Sequence, residues 1–128
     1  MALTDIGKAF VMRNDMRVAS VWIALSSDGS AEQSGSSYAR RALPPTGADA
    51  ANGRVVSETD GTLSILGSSL PFTFYTPSDA SAPDSTHCAL YDASTGGNIL
   101  TDWQMLAVDV AAPVMGQAYR LSTFSLAP

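Results

Sequence analysis

The chain has 128 residues, a hydrophobic share of 45%, only 15% charged residues and a formal net charge of −5. That length suits one domain, which can bury roughly two-thirds of its unfolded surface in a single core without staples. The acidic balance and the absence of any basic run beyond Arg40-Arg41 argue against nucleic-acid binding. The single Cys88 rules out an intrachain disulfide, and no Cys/His cluster offers a structural zinc site.

Near the N-terminus, Leu3, Ile6, Gly7 and Phe10 fall at helical spacing, and Thr4 or Asp5 can cap the first turn. The spacing predicts a short helix from Asp5 to Arg13, weakened by Gly7 by ~1 kcal/mol relative to alanine, with an extended arm as the competing form. Residues 1–16 read as this helix or arm and 17–128 as one β domain. Val18 to Leu25, rich in Val, Ile and Trp, is a strand with burial on both faces. It is far shorter than the ~18 residues of a membrane span. Ser20 interrupts it and no small-x-small cleavage site follows directly, so it does not read as a signal-peptide core.

Ser26 to Ser37 is a polar, glycine-punctuated loop expected to be exposed. Tyr38 to Leu43 reads as a strand stopped by Pro44-Pro45, and Thr46 to Gly53 as another loop. Arg54 to Glu58 and Thr62 to Leu66 flank Asp60-Gly61, a hairpin turn signal. Leu70 to Tyr75 is a further strand, and Thr76 to Asp84 a proline-containing loop. From Thr86 to Tyr91 a β-prone run meets a polar Gly96-Gly97-Asn98 turn, after which Ile99-Leu100 starts a return limb. Trp103 to Val110 and Gln117 to Leu126 close the chain, the latter with strand alternation, separated by a turn at Pro113 and Gly116. About eight short strands spaced by about ten residues read as an all-β antiparallel sandwich, jelly-roll or immunoglobulin-like, with a short N-terminal helix or arm. No heptad, glycine-triplet or β-helical repeat is present, so the chain alone cannot form a fibre shaft.

Several pieces appear in a fixed order: Val21-Trp22-Ile23-Ala24-Leu25, then Gly35-Ser36-Ser37-Tyr38-Ala39-Arg40, then Asn52-Gly53-Arg54-Val55-Val56-Ser57. They are followed by Thr86-His87-Cys88-Ala89-Leu90-Tyr91-Asp92-Ala93 and its Thr95-Gly96-Gly97-Asn98-Ile99-Leu100 return. This set resembles a family of small tailed-phage virion proteins, usually labelled tail-fibre or minor structural proteins. The segment from Thr59 to Asp84 departs from the family pattern in being longer and richer in proline. The resemblance implies a virion component with no catalytic residues to carry over; the lack of a signal-peptide pattern makes synthesis in the host cytoplasm the expectation, and no cofactor is expected.

The residues that carry chemistry point the same way. His87 and Cys88 are adjacent on a strand and face opposite sides, which suits a buried thiol and an edge imidazole better than an ion pair. No Gly-x-Ser-x-Gly elbow occurs, and one histidine would have to complete any triad. Asp28-Gly29-Ser30-Ala31-Glu32 spaces oxygens as a calcium loop does, but Ala39 stands where the bidentate glutamate is required. Trp22 and Trp103 with Tyr38, Tyr75, Tyr91 and Tyr119 could stack sugars, whereas small β domains ordinarily bury such rings. Trp22 is expected in the core, and Trp103, between Asp102 and Gln104, in a partly polar setting.

Arg40 and Arg41 are candidates for contacts between subunits, because a guanidinium pairs a carboxylate in two bonds; edge charges that discourage strand aggregation are the other reading. Phe10, Arg13 and Trp103 complete the candidate contact set. The leading expectation is a non-enzymatic structural protein, a capsid cement or decoration subunit held in many copies by the major capsid protein and by copies of itself, a trimer being the candidate self-assembly. The alternative is a tail-fibre or baseplate-associated subunit that contacts tail or baseplate proteins and a host-surface glycan. Neither reading invokes nucleic acid or a membrane.

Overall fold

The computed structural model describes residues 1–14, 16, 19–35, 37–43, 55–66, 74–75, 85–106 and 123–128. Among them are one helix, α1 (Asp5–Arg13), and seven strands. The strands are β1 (Trp22–Ser26), β2 (Arg41–Ala42), β3 (Val55–Thr59), β4 (Thr62–Leu66), β5 (His87–Tyr91), β6 (Gln104–Met105) and β7 (Thr123–Leu126). They form two antiparallel sheets, one in the order β2-β1-β5-β6 and the other in the order β3-β4-β7. This is the all-β sandwich with a short N-terminal helix that the strand spacing implies.

Strand parity places the core. Across the β1–β5 pair, Ile23 lies opposite Leu90 and Leu25 opposite Cys88, and all four are buried. The second sheet contributes Ile65 and Leu126, and Val21, Leu43, Phe74, Tyr75 and Leu100 complete the same cluster. Each aliphatic side chain so buried stabilises the fold by about 1.5–3 kcal/mol before the entropy of ordering it is counted. On the other face of the first sheet, Ala24, Ser26 and Ala89 are also buried, so β1 is covered on both sides as its unbroken apolarity demands. Trp22, opposite Tyr91, sits on that second face and is only half-buried, not in the core as its apolar surroundings suggested. Its odd position within the strand turns it away from Ile23 and Leu25.

The Asp60-Gly61 hairpin forms as its sequence requires. Asp60 has φ 51° and Gly61 φ 79°, the two positive angles of a primed turn, and the Glu58 carboxylate accepts a 2.6 Å bond from the Gly61 N–H. Elsewhere the strands are shorter than the sequence predicts. Tyr38 to Leu43 supplies only the two residues of β2, and Phe74 and Tyr75 are buried outside any strand. The loops at Thr46 to Gly53 and Thr76 to Asp84, the Pro113–Gly116 turn and the rest of the Leu70 to Tyr75, Trp103 to Val110 and Gln117 to Leu126 segments lie largely or wholly outside the described residues.

The N-terminal residues join the two sheets. The Leu3 N–H donates to the Ala127 carbonyl beside β7, and the Thr4 N–H donates to the Leu100 carbonyl beyond β5. Thr4 then caps α1, its hydroxyl accepting from the Gly7 N–H at 3.0 Å and donating to the Ile99 carbonyl at 2.9 Å. Asp5 in the first turn and Arg13 in the last complement the helix dipole, and the helix ends where Asn14 turns extended and donates to the Phe10 carbonyl. Gly7 is the only fully buried residue of α1 because its bare Cα lies against the Leu100 carbonyl. A Cβ there would collide with that oxygen, so the glycine that weakens the helix in isolation is what lets it dock. Gly7→Ala, which would gain ~1 kcal/mol in an open helix, is therefore expected to destabilise this protein by about 1–3 kcal/mol, read as a lowered urea midpoint.

Candidate functional site

The densest polar arrangement among the described residues is built around Arg40. The residue is 8% exposed, although it sits in a polar, glycine-containing stretch. Its Nε donates to Glu32 Oε2 and its Nη2 to Glu32 Oε1, both at 2.8 Å, which is the two-pronged pairing that a guanidinium makes with a carboxylate. Nη1 donates to the carbonyls of Ala93 at 2.8 Å and Gly96 at 2.7 Å, in the loop after β5. The flat guanidinium stacks over the Tyr91 ring at 3.7 Å, a cation–π contact strengthened by burial. One side chain thus ties together the segment after β1, the approach to β2 and the tip of the β5 hairpin.

Glu32 is held from a third direction, since the Tyr38 hydroxyl donates to Glu32 Oε2 at 2.8 Å. The same hydroxyl oxygen accepts the Leu25 N–H at 3.1 Å. Burial by itself would raise the Glu32 pKa, but the hydrogen bonds from Arg40 and Tyr38 and the Arg40 charge outweigh it and hold the carboxyl below its ordinary value of 4.5. The pairing with Glu32 in turn raises the Arg40 pKa. Burial, followed by the neighbouring Glu32, pushes the Tyr38 phenol up, so it stays a donor.

The loop that Arg40 grips has its own internal lock. Asp92 Oδ1 accepts the Asn98 N–H at 2.7 Å, Oδ2 accepts Asn98 Nδ2 at 3.1 Å, and the Asp92 N–H donates to the Asn98 carbonyl at 3.2 Å. The Asn98 backbone bond is the main reason the Asp92 pKa is lowered. Gly96 and Gly97 carry φ 59° and 69°, and a Cβ on Gly97 would run into Asp92 and Ala93. The chain then returns antiparallel, with Tyr91 bridged to Ile99 and the Leu100 N–H donating to the Leu90 carbonyl. At the base of the return, β6 pairs with β5 through Cys88 and Gln104, a register displaced by two residues from the one at the tip. The Thr101 hydroxyl fills the gap, accepting the Leu90 N–H at 3.1 Å.

The polar segment from Ser26 to Ser37 is not wholly exposed, contrary to its composition. Glu32 bridges back to Ser26, and the Gln33 N–H donates to the Leu25 carbonyl at 2.8 Å, extending the edge of β1. Within it, Asp28 Oδ1 accepts the N–H groups of Ser30 at 2.8 Å and Ala31 at 3.1 Å and the Ser26 hydroxyl at 3.0 Å. Those bonds, the Ala31 one foremost, lower its pKa and commit the carboxylate to an Asx turn. Cys88 lies in the core, where burial pushes its thiol up to about 12. His87 is half-buried, its Nδ1 2.7 Å from the Thr86 hydroxyl and its ring against Gly29.

Of the residues singled out as subunit contacts, Arg40 and Trp103 both flank Tyr91, and Phe10 and Arg13 lie on α1. Arg40 is engaged inside its own chain, while Arg41, the neighbour of opposite parity, is exposed on β2. Phe10 packs partly buried against the core, and Arg13 is exposed at the end of α1. Trp103 is half-buried with its ring 6.3 Å from Tyr91 and tilted by 58°, so the two do not form a flat platform. The partners Glu32 and Tyr38 carried the available signal: a glutamate and an arginine flanking Gly35-x-x-Tyr38, with too few charges nearby to compete for them.

Fold and site together define a small two-sheet β domain whose loops are fixed by an internal ion pair. The family model described as Podophage GP4 fiber I protein gp80 matches residues 7–113, most of the chain, and the chain belongs to that family. It is accordingly a phage fibre-type structural component of the virion. No curated protein and no solved structure matches it.

Two measurements test the ion-pair hub. Arg40→Ala leaves the half-buried Glu32 carboxylate without its guanidinium and the Ala93 and Gly96 carbonyls without their donor, and is expected to destabilise the fold by about 1.5–3 kcal/mol in chemical denaturation. Replacing both partners by Glu32→Gln with Arg40→Met should recover only part of that loss, because the Ala93 and Gly96 carbonyls still lack their donor. The second measurement is the pH dependence of stability. The folded pKa of Glu32 lies below its unfolded value, so its contribution is present above about pH 4.5 and disappears as the pH falls through the folded pKa. Asp28 and Asp92 act with the same sign. Stability should fall between about pH 5 and pH 2, and Glu32→Gln should make that slope shallower.

Proposed function

We propose that this protein is a non-enzymatic building block of a phage tail fibre, a β module that docks on tail or baseplate proteins and on copies of itself. The match of residues 7–113 to a fibre protein family is the observation that carries the reading. It favours the fibre over the capsid-decoration role that size and the lack of a shaft repeat suggested. A subunit need not contain a shaft repeat to serve a fibre, since a small domain can cap, join or anchor one.

Support for a structural role comes from how the polar groups are spent. Arg40, Glu32 and Tyr38 hold one another and the backbone, Asp92 closes its own loop, and the Cys88 thiol is buried. These groups spend their hydrogen bonds on rigidity rather than on an open pocket. The tilt between Trp103 and Tyr91 gives no support to a sugar-stacking role at that pair. Contacts of such a module act by mass action, each weak and many acting together in the assembled particle.

Quantitative mass spectrometry of purified particles, paired with immunogold electron microscopy, tests the proposal. The expected result is roughly tens of copies per particle with label at the tail, as the cyclic symmetry of a tail dictates. Copies in the hundreds with label over the head would return the protein to the capsid surface. Absence from the particle would overturn both placements.

A further inference from the structure

We infer that the outer face of α1 docks on the same face of a second copy of this chain, the two helices crossing antiparallel about Ala9. The inference rests on the reading of the protein as a module that docks on copies of itself, and gives that docking a surface. At about 100° per residue, Gly7 and Val11, which pack towards the rest of the fold, lie on the side of α1 opposite Ala9. The outer face is therefore the ridge Asp5, Ala9, Arg13, flanked by Ile6 on one side and Met12 on the other, each about 60° round from Ala9. Ile6 is 51% exposed and Met12 87%, two of the three exposed large apolar side chains among the described residues. Asp5 and Arg13 suit the helix dipole, but the dipole asks for no apolar residue beside them.

Charge complementarity selects a second copy as the partner. Ala9 is the central residue of the nine in α1, with the acid four residues before it and the base four after. A ridge that is acidic at one end and basic at the other is its own complement when inverted, as an isologous contact requires. Laying such i, i+4 ridges along one another is the commonest way helices cross, with axes about 50° apart. A two-fold axis through Ala9 then sets Asp5 of each copy against Arg13 of the other, where a guanidinium can take a carboxylate in two bonds. The small Ala9 side chains meet at the crossing and let the helices approach closely. On either side of the ridge Ile6 meets Ile6 and Met12 meets Met12, so all four exposed apolar side chains leave water together. In the free chain the Asp5 carboxylate meets Lys8 only at 3.9 Å and its side chain is 103% exposed, an association too weak to compete.

Charge complementation between two variants is the test, read by sedimentation equilibrium of the full chain up to millimolar concentration. The unaltered chain is expected to dimerise reversibly. Asp5→Arg and Arg13→Asp should each raise the dimer dissociation constant at least ~10-fold, because each homodimer then sets like charges together at both ends of the ridge. An equimolar mixture of the two variants should restore the dimer, since every facing pair is again of opposite sign. Ala9→Cys supplies a geometric check. Under oxidising conditions it should form a disulfide-linked dimer at least ~10-fold faster than Ser30→Cys, an exposed site away from α1, while the native Cys88 is buried and takes no part. A monomer at every concentration overturns the inference, as does a dimer that the charge reversals leave unchanged or that their mixture fails to restore. An Ala9→Cys chain that links no faster than the Ser30→Cys chain overturns it equally. The assay uses the isolated chain, so its outcome is independent of where the particle carries the protein.

Discussion

The described structure turns on one ion pair, between the buried Arg40 and the half-buried Glu32. Burying a charged pair is expensive, and an isolated one is commonly matched by hydrophobic residues of the same volume. Arg40 escapes that comparison because it also donates to two carbonyls, of Ala93 and Gly96, and lies flat on Tyr91. Four of its five N–H donors meet named acceptors, so the desolvation penalty is offset by bonds that no aliphatic side chain could make. The geometry then constrains three stretches of chain simultaneously: the segment after β1, the approach to β2 and the loop after β5.

Those loops exist because the first sheet is interrupted on both flanks. Alongside β1, the returning chain pairs at Ser26 with Glu32, bulges away, and pairs again at Ile23 with Arg41. Within the gap the Leu25 N–H is taken by the Tyr38 hydroxyl. Alongside β5, the return limb pairs at Tyr91, slips by two residues, and pairs again at Cys88, with the Leu90 N–H taken by the Thr101 hydroxyl. A buried N–H without a partner would cost about 1–3 kcal/mol, so each hydroxyl stands in for a missing ladder carbonyl. The slip at Thr101 also frees the Leu100 carbonyl to receive the Thr4 N–H, which is how the N-terminal segment reaches the sheet.

Sequence signals of short range carried over well. Asp60-Gly61 specified its hairpin because the turn needs positive φ at both residues, and alternation around Cys88 placed the thiol inward and His87 outward because parity is a property of any strand. The spacing of Ile6, Gly7 and Phe10 placed α1 for the same reason. Signals of long range did not carry over. Strand parity says that one of Arg40 and Arg41 turns inward, but not that its acceptors include Ala93 and Gly96, more than fifty residues away, which make Arg40 an internal brace rather than a contact to another subunit. Trp22 misled for the converse reason: an apolar strand covered on both faces places one set of side chains in the main core, and composition does not say which set. The polar stretch from Ser26 looked exposed because its backbone bonds to Leu25, which bury part of it, leave no mark on residue type.

Charge is scarce in this chain, at 15% of residues, and the hub consumes part of it. Arg40 and Glu32 act inward, on the backbone and on one another, and as a neutral pair contribute little to the field a partner would meet. For a subunit tethered among its neighbours at high local concentration, slow encounter carries no penalty. Under those conditions a stiff surface is worth more than a highly charged one, since every loop immobilised in the free subunit is entropy that docking does not have to remove. The inward-turned ion pair thus has two effects at once: the bonds that neutralise Arg40 and Glu32 against each other are the same ones that hold the surrounding loops rigid.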